Sequence, residues 1–261
     1  MGSLTRAALA SLRDHAGTQS ASVEVVSELL AIARACGQSP QLVQTLGNAS
    51  FPPAERQKLA GSLFHGASSA TKKLVDQAVS RSWSDPQDLL EGLEELAFRL
   101  AATADKKADV VGEVLAVDKV VRAEADVQLA LSSKRADHQT KMTMVDTLFG
   151  QRVSPVTREI VRHLVAQPRG RRLTEALPSA ARVLCDQRGE GLAEIRVAST
   201  LSQAQHKDIQ ALLTARFGRP HYLDEVVDPE IVGGIRIRVG DHVIDNTVAT
   251  QLAEMRRRLA G

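Results

Sequence analysis

Near Leu192 the spacing of apolar residues changes period, and that change splits the chain into two kinds of structure. Upstream, Val23, Val26, Leu29, Leu30 and Ala33 recur at intervals of three and four. Such spacing lines one stripe of an α-helix. Downstream, Ala193-Glu194-Ile195-Arg196-Val197-Ala198 alternates apolar with polar, the period of a strand buried on one face. Residues 1 to about 186 therefore read as almost entirely helical, and the remainder as a small mixed domain.

The helical part carries its own punctuation. Gly37-Gln38-Ser39-Pro40 breaks a helix and offers Pro40 to the first turn of the next. Pro52-Pro53, Ser84-Asp85-Pro86 and Ser154-Pro155 mark further starts. With aromatics at only 3%, the core must be built from Leu, Val, Ile and Ala, which suits helix bundles. Past Leu192, Ser202 is placed to cap a helix with Ile209, Leu212, Leu213 and Phe217 on its buried face. Gly218-Arg219-Pro220 ends it, and His221–Val226 returns as a strand. Ile235, Ile237 and Val239 then alternate with Arg236 and Arg238, Gly240-Asp241 makes a tight turn, and His242-Val243-Ile244 starts a second strand. Thr247 can cap a terminal helix whose apolar positions are Val248, Leu252, Met255 and Leu259.

An internal repeat runs through the helical part. A shift of 85 residues sets Glu28 on Glu113, Leu30 on Leu115, Leu46 on Leu131, Leu63-Phe64 on Leu148-Phe149 and Ser69 on Ser154. Val75 then falls on Ile160 and Lys73 on Arg158. After a one-residue deletion, Leu89, Leu93, Ala97 and Leu100 fall on Leu173, Leu177, Ala181 and Leu184. The long shared register favours duplication over chance agreement between two amphipathic bundles. The expected fold is mainly α with a small α/β domain: an extra bundle copy at 1–104, a second bundle at 105–186, and a mixed strand-helix domain at 187–261.

Recognisable chemistry is sparse. No phosphate-cradling GxxxxGK[ST] loop and no GxSxG elbow occur. Gly189-Glu190-Gly191 precedes a strand instead of following one, which argues against a dinucleotide fingerprint. The seven histidines lie far apart, with no cysteine spaced to complete a metal pattern. Cys36 and Cys185 read as two reduced thiols of a cytosolic protein. A formal charge of +2, from 33 basic and 31 acidic residues, gives no electrostatic footprint for nucleic acid. No apolar run reaches the roughly 20 residues needed to span a bilayer, and the N-terminus has no signal-peptide pattern, so membrane association would be indirect.

Two basic clusters admit two readings each. Arg169-Gly170-Arg171-Arg172 reads as a solvated helix boundary or as a nucleic-acid contact. Arg256, Arg257 and Arg258 lie in the last turns of the terminal helix, where cations suit the macrodipole; they are also candidates for a partner contact. Asp228, Pro229, Gly233, Gly234, Gly240, Asp241 and Asp245 read as architecture, in preference to a catalytic or calcium site. Gly233-Gly234 allows a bend or close packing, Gly240-Asp241 a turn, and Asp245 hydrogen bonds to backbone where strand passes to helix.

The wording of that terminal stretch carries a resemblance. Asp228-Pro229-Glu230-Ile231-Val232-Gly233-Gly234 through Val239-Gly240-Asp241-His242-Val243-Ile244-Asp245-Asn246-Thr247-Val248 resembles the C-terminal motif of ATP synthase delta subunits, relatives of the oligomycin-sensitivity-conferring protein. Arg188-Gly189-Glu190, Ala193-Glu194-Ile195 and Gly170-Arg171-Arg172-Leu173 resemble further family stretches, so the likeness covers about 110–259. Asn246 stands where the family usually has Gly; asparagine tolerates a positive φ. The resemblance implies a non-catalytic stator subunit of a rotary ATP synthase, without cofactor or metal. It implies the N-termini of alpha subunits and the C-terminal region of the b subunit as partners, no nucleic acid, and a place on the cytoplasmic face of the plasma membrane within the complex. The added bundle resembles the enlarged actinobacterial form. The alternatives are a helical adaptor or a nucleic-acid-binding module unrelated to ATP synthase.

Overall fold

The computed structural model describes residues 2–18, 21–133, 136–248, 250 and 257. The chain falls into two compact units, residues 1–187 and 188–261. The segments 1–104 and 105–186 thus lie within one unit.

That first unit is helical: α1 (Ser3–Gly17), α2 (Val23–Gln38), α3 (Pro40–Gly47), α4 (Pro53–Leu63), α5 (Ser69–Ser80), α6 (Asp88–Ala104), α7 (Val110–Ala123), α8 (Ala125–Ser132), α9 (His138–Phe149), α10 (Pro155–Ala166) and α11 (Leu173–Gln187). Short polar side chains start many of them. Ser22, Ser68, Asp109, Asp137 and Ser154 each accept a hydrogen bond from a backbone N–H in the first turn, satisfying a donor the helix cannot. Pro40, Pro53 and Pro155 occupy first-turn positions, where their missing N–H costs nothing.

The order α2–α6 recurs as α7–α11, and the packing recurs with it. Helix α2 packs on α6 and α4 on α5; likewise α7 packs on α11 and α9 on α10. Helix α1 packs on α6 and touches α5, just as α6 packs on α11 and touches α10. Helix α6 therefore closes the first bundle and opens the second. Its burial follows: Leu89, Leu93, Leu96, Ala97, Leu100 and Ala101 are buried together with Leu90, Phe98 and Ala102 on other faces. Glu94 and Arg99 are buried on it as well, so the helix is enclosed on nearly all sides.

A polar triangle marks the equivalence atom by atom. In the first bundle the Glu28 carboxylate accepts from Ser68 N at 3.1 Å, Ser68 Oγ at 2.7 Å and the Thr71 hydroxyl. In the second, Glu113 accepts from Ser154 N at 2.9 Å, Ser154 Oγ at 2.6 Å and Thr157 Oγ1 at 2.6 Å. This corrects the sequence register. The partner of Ser154 is Ser68, not Ser69, because the turn after Phe149 is one residue longer than the turn after Phe64. Beyond it Leu74 pairs with Ile160 and Lys72 with Arg158.

Several local adjustments hold the unit together. Trp83 is buried, donates through Nε1 to Ala78 O at 3.1 Å, and lays its ring against Gly92 of α6. A Cβ at Gly92 would fall 2.2 Å from that ring. Pro178 lies inside α11 and has no N–H for the carbonyl of Thr174 four residues back. The Arg122 guanidinium of α7 donates to that carbonyl instead, and its Nε also holds Asp118 at 2.6 Å. Between the two bundles, Arg34 meets Glu159 at 3.5 Å, and Gln167 Nε2 donates to Arg34 O at 3.3 Å. Arg99, buried on α6, reaches Asp186 of α11 at 3.0 Å.

In the second unit, β1 (Gly191–Val197), α12 (Gln203–Phe217), β2 (His221–Val227), β3 (Gly234–Val239) and β4 (His242–Thr247) form a four-stranded sheet with one helix. The order is β2-β1-β3-β4, with β1 and β2 parallel and the other pairs antiparallel. Ala193, Ile195, Val197 and Ile237 pack with Leu213 of α12 as its core. Alternation on β1 and β3 follows the sequence reading. Ser202 and Gln205 form a reciprocal capping box at the start of α12, and Gly218 ends it at φ +74°. Leu212 departs from expectation. It is 52% exposed, because a sheet this narrow covers only the stripe centred on Leu213.

Candidate functional site

The terminal motif of the second unit is held by its own backbone. Asp228 N donates to Val197 O at 2.9 Å, and Asp228 Oδ1 accepts from Glu230 N at 3.0 Å, so the aspartate folds the turn carrying the exposed Pro229. Gly233 O accepts from Val248 N at 3.0 Å. Gly234 has φ +86°, and a Cβ there would fall 2.3 Å from Asn246 O. Gly240, at φ +57°, and Asp241 form the two-residue hairpin turn between Val239 and His242. Asp245 Oδ1 accepts from Thr247 N at 3.1 Å and Thr247 Oγ1 at 2.8 Å, while Oδ2 accepts from Arg236 Nε at 2.8 Å. The Thr247 hydroxyl bond holds the Asp245 carboxyl down at about 2, against the opposing effect of burial and with help from Thr247 N–H and Arg236. Thr247 Oγ1 in turn accepts from Thr250 N at 3.4 Å, the cap expected at this position.

Asn246 corrects the sequence reading. It does not sit at positive φ; it lies in β4 opposite Ile235, and the left-handed residue of this pairing is Gly234, opposite Thr247. Leu252, Met255, Leu259, Arg256 and Arg258 lie outside the described residues. Arg257 is helical and exposed.

The solvent-side face of the sheet is a lattice of charge. Arg196 and Arg236 stand directly opposite each other on β1 and β3, a repulsive pairing. Each turns to a carboxylate: Arg196 to Glu194 at 2.7 Å and Asp228 at 3.4 Å, Arg236 to Asp245.

The basic cluster at 169–172 answers neither of its two sequence readings in full. Arg171 binds Glu94 of α6 at 2.8 Å and Arg169 approaches it at 3.8 Å. Glu94 also meets His163 of α10 at 3.0 Å, and both side chains are buried. Arg169 takes φ +50° and Gly170 φ +77° to turn the chain onto that carboxylate. Burial alone would raise the Glu94 carboxyl, but the His163 hydrogen bond and the charges of His163, Arg171 and Arg169 outweigh it and hold it low. Sequence reasoning missed Glu94 and His163; their signal is a buried acid and histidine on facing helices, visible only once packed.

Open space lies elsewhere on the first unit. A groove of about 540 Å³ runs between α8 and α9, lined by Asp126, Val127 and Ala130 of α8 and by Gln139, Met144, Leu148 and three threonines of α9. Among the described residues no group of three or more His, Cys, Asp or Glu is placed to hold a metal ion. No described helix is long and apolar enough to cross a membrane. Both thiols are buried, and burial pushes Cys36 up to about 12.

Helices paired in two successive bundles, an open apolar groove and a small charged sheet define a chain organised around packing and surface. Its relatives say which one. A family model described as "ATP synthase delta (OSCP) subunit" matches residues 96–259, beginning inside α6. The chain is 36% identical over 264 residues to ATP synthase subunit delta of Leifsonia xyli, covering 100% of each. It is 34% identical to that of Thermobifida fusca, covering 90% of this chain and 89% of the other. With the Streptomyces griseus subunit the identity is 33%, covering 100% of both. A chain of the Toxoplasma gondii mitochondrial ATP synthase hexamer aligns at 23% identity and TM-score 0.39, covering 66% of this chain and 98% of that one. This chain belongs to the ATP synthase delta (OSCP) family, and is a non-catalytic subunit of the ATP synthase complex. That sets aside an adaptor unrelated to ATP synthase. Its enlarged length is shared with actinobacterial relatives.

Proposed function

We propose that this subunit is a stator link: it joins alpha-subunit N-termini of the catalytic head to the C-terminal region of the b stalk, and resists the torque that rotation puts on the head. It does so on the cytoplasmic face of the plasma membrane. End-to-end correspondence with delta subunits, 100% of this chain against 100% of the Leifsonia xyli relative, is the observation that carries the reading. The first unit offers an apolar groove of the kind helices occupy. The terminal motif, with Asp228, Gly234 and Asp245 committed to backbone geometry, serves as the frame on which Arg256, Arg257 and Arg258 meet the stalk. Residues 1–104 are an extra bundle copy and 105–186 the family-type one, sharing α6. Co-purification of the full chain with alpha and b fragments tests the proposal. Capture of both, with loss of b on deleting 228–261, is expected. Failure to capture either overturns it.

A further inference from the structure

Helix α12 lies lightly on its sheet. Leu213 is buried, His206, Ile209 and Phe217 are half-buried, and its other residues are exposed. A helix with so little buried apolar surface opens locally at low cost. Polar fastenings toward each end hold it, and both run to β2. Ahead of its first turn, Glu225 of β2 accepts from Leu201 N at 3.0 Å through Oε1, and His206 Nε2 lies 2.8 Å from Oε2. Farther along, Gln210 Nε2 donates to His221 O at 3.4 Å. At the C-terminal end the Phe217 ring packs on the His221 ring, centroids 5.4 Å apart.

The two histidines answer a proton in opposite ways. His206 stands half-exposed beside a carboxylate, so protonation turns its contact with Glu225 into an ion pair. His221 is buried, with its ring so close over Gly191 of β1 that a Cβ there would fall 2.4 Å from it. The charged and titratable groups around it are basic. Arg219 lies in the turn before it, Arg216 of α12 stands over the Phe217 ring, and His242 of β4 packs on that ring at 5.8 Å. Strands β1 and β3 present glycine and aliphatic residues to the helix side. The one acid that β2 turns that way, Glu225, already holds His206 and Leu201 N. Burial keeps the His221 ring below the ordinary value of 6.5, outweighing a backbone hydrogen bond at Arg219, and the Arg219 charge adds to the effect. The seat of Phe217 on a neutral ring is therefore whole above 6.5 and weakens as pH falls below it.

We propose that α12 is a proton-sensitive flap: acidification lifts its C-terminal end off β2 at Phe217 and His221, while the His206–Glu225 pair tightens and serves as the pivot. Lifting bares Phe217 and the apolar side of β2 at Leu223, both of which pack on the core of the unit when the flap is down. The device lies within the second unit and does not rest on the stator reading.

Hydrogen exchange of the full chain, read by mass spectrometry at pH 7.5, 6.5 and 5.5 and referred to the intrinsic rate at each pH, tests the proposal. Between pH 7.5 and 5.5, peptides covering 210–225 are expected to lose protection about fivefold or more. Peptides covering 203–209 and β3 should change less than about twofold. Deuterium uptake at the histidine rings of the same unaltered chain should show His221 titrating below 6.5. His221→Gln should abolish the acid-dependent loss at 210–225, and His206→Gln should extend that loss to 203–209. Protection of β3 at pH 7.5 checks that each variant is folded; where His221→Gln fails that check, the ring titration decides. Protection lost evenly over the unit, a loss beginning at 203–209, His221 titrating at or above 6.5, or an unchanged profile in folded His221→Gln would each overturn the proposal. Co-purification with alpha and b scores the stator reading separately, so each can fail alone.

Discussion

His163 Nε2 lies 3.0 Å from a carboxylate oxygen of Glu94, with both side chains buried between α6 and α10. Arg171 and Arg169 supply the charge that makes this burial tolerable. Replacing Glu94 with Gln should cost about 2–4 kcal/mol, toward the lower end for a buried pair because both arginines keep contact with water. The pH dependence has a fixed sign. The folded carboxyl is held below its ordinary value of 4.5, so its stabilisation is full above that value and fades as pH falls through the folded one. Urea midpoints followed by Trp83 fluorescence should drop on acidification below about pH 4.5, and drop less steeply in Glu94→Gln.

Glu28 and Glu113 perform the same task 85 residues apart. Truncating either to alanine leaves a serine N–H and two hydroxyls without their acceptor, at an expected cost of about 1–2 kcal/mol. Because both bundles lie in one compact unit, thermal unfolding of the two variants should shift the same transition by similar amounts. A shift confined to one variant would break the equivalence of the bundles.

Gly234 and Asn246 exchange expectations. Ala at 234 must hold φ +86° and place its Cβ 2.3 Å from a carbonyl, so Gly234→Ala should destabilise the second unit by about 1–3 kcal/mol. Asn246→Gly meets no such need, and in mid-strand should lower stability by about 0.5–1 kcal/mol. Amide exchange across β3 and β4 reads both.

Pro178 and Arg122 should be coupled. Pro178→Ala restores the N–H for Thr174 O, so Arg122→Ala ought to cost less in that background than in the parent. A double-mutant cycle by chemical denaturation should return a coupling of about 0.5–1 kcal/mol. Additive effects would show that the guanidinium merely sits beside the carbonyl.

Local signals in the sequence located most elements. Serine and proline starts placed α3, α4 and α10, and alternation placed β1 and β3, because caps and periodicity act over a few residues. The Glu94 site was hidden for a physical reason. Nothing in the spacing of Leu93-Glu94-Glu95-Leu96 marks Glu94 as buried, and only the sharing of α6 between bundles encloses it. Arg169 and Arg171 were legible as charge but not as inward-facing, since that depends on the left-handed turn at Arg169-Gly170. The groove depends on the gap between α8 and α9, which no spacing within either helix encodes. Leu212 was misplaced because helical periodicity reports which residues share a face, while the width of the opposing sheet decides how much of that face is covered.

Helix α6 belongs to both bundles, and this bears on mechanics. Two bundles joined by a loop would have a hinge, since hinges form where a few loop residues can absorb a change in φ and ψ. Here the joint is itself 17 residues of hydrogen-bonded helix, enclosed by neighbours from both sides. Bending the first bundle against the second would require fracturing a buried helix. Pulled from its ends, the unit should give way in one rupture without a preceding soft extension, the response of a beam and not of a chain of links.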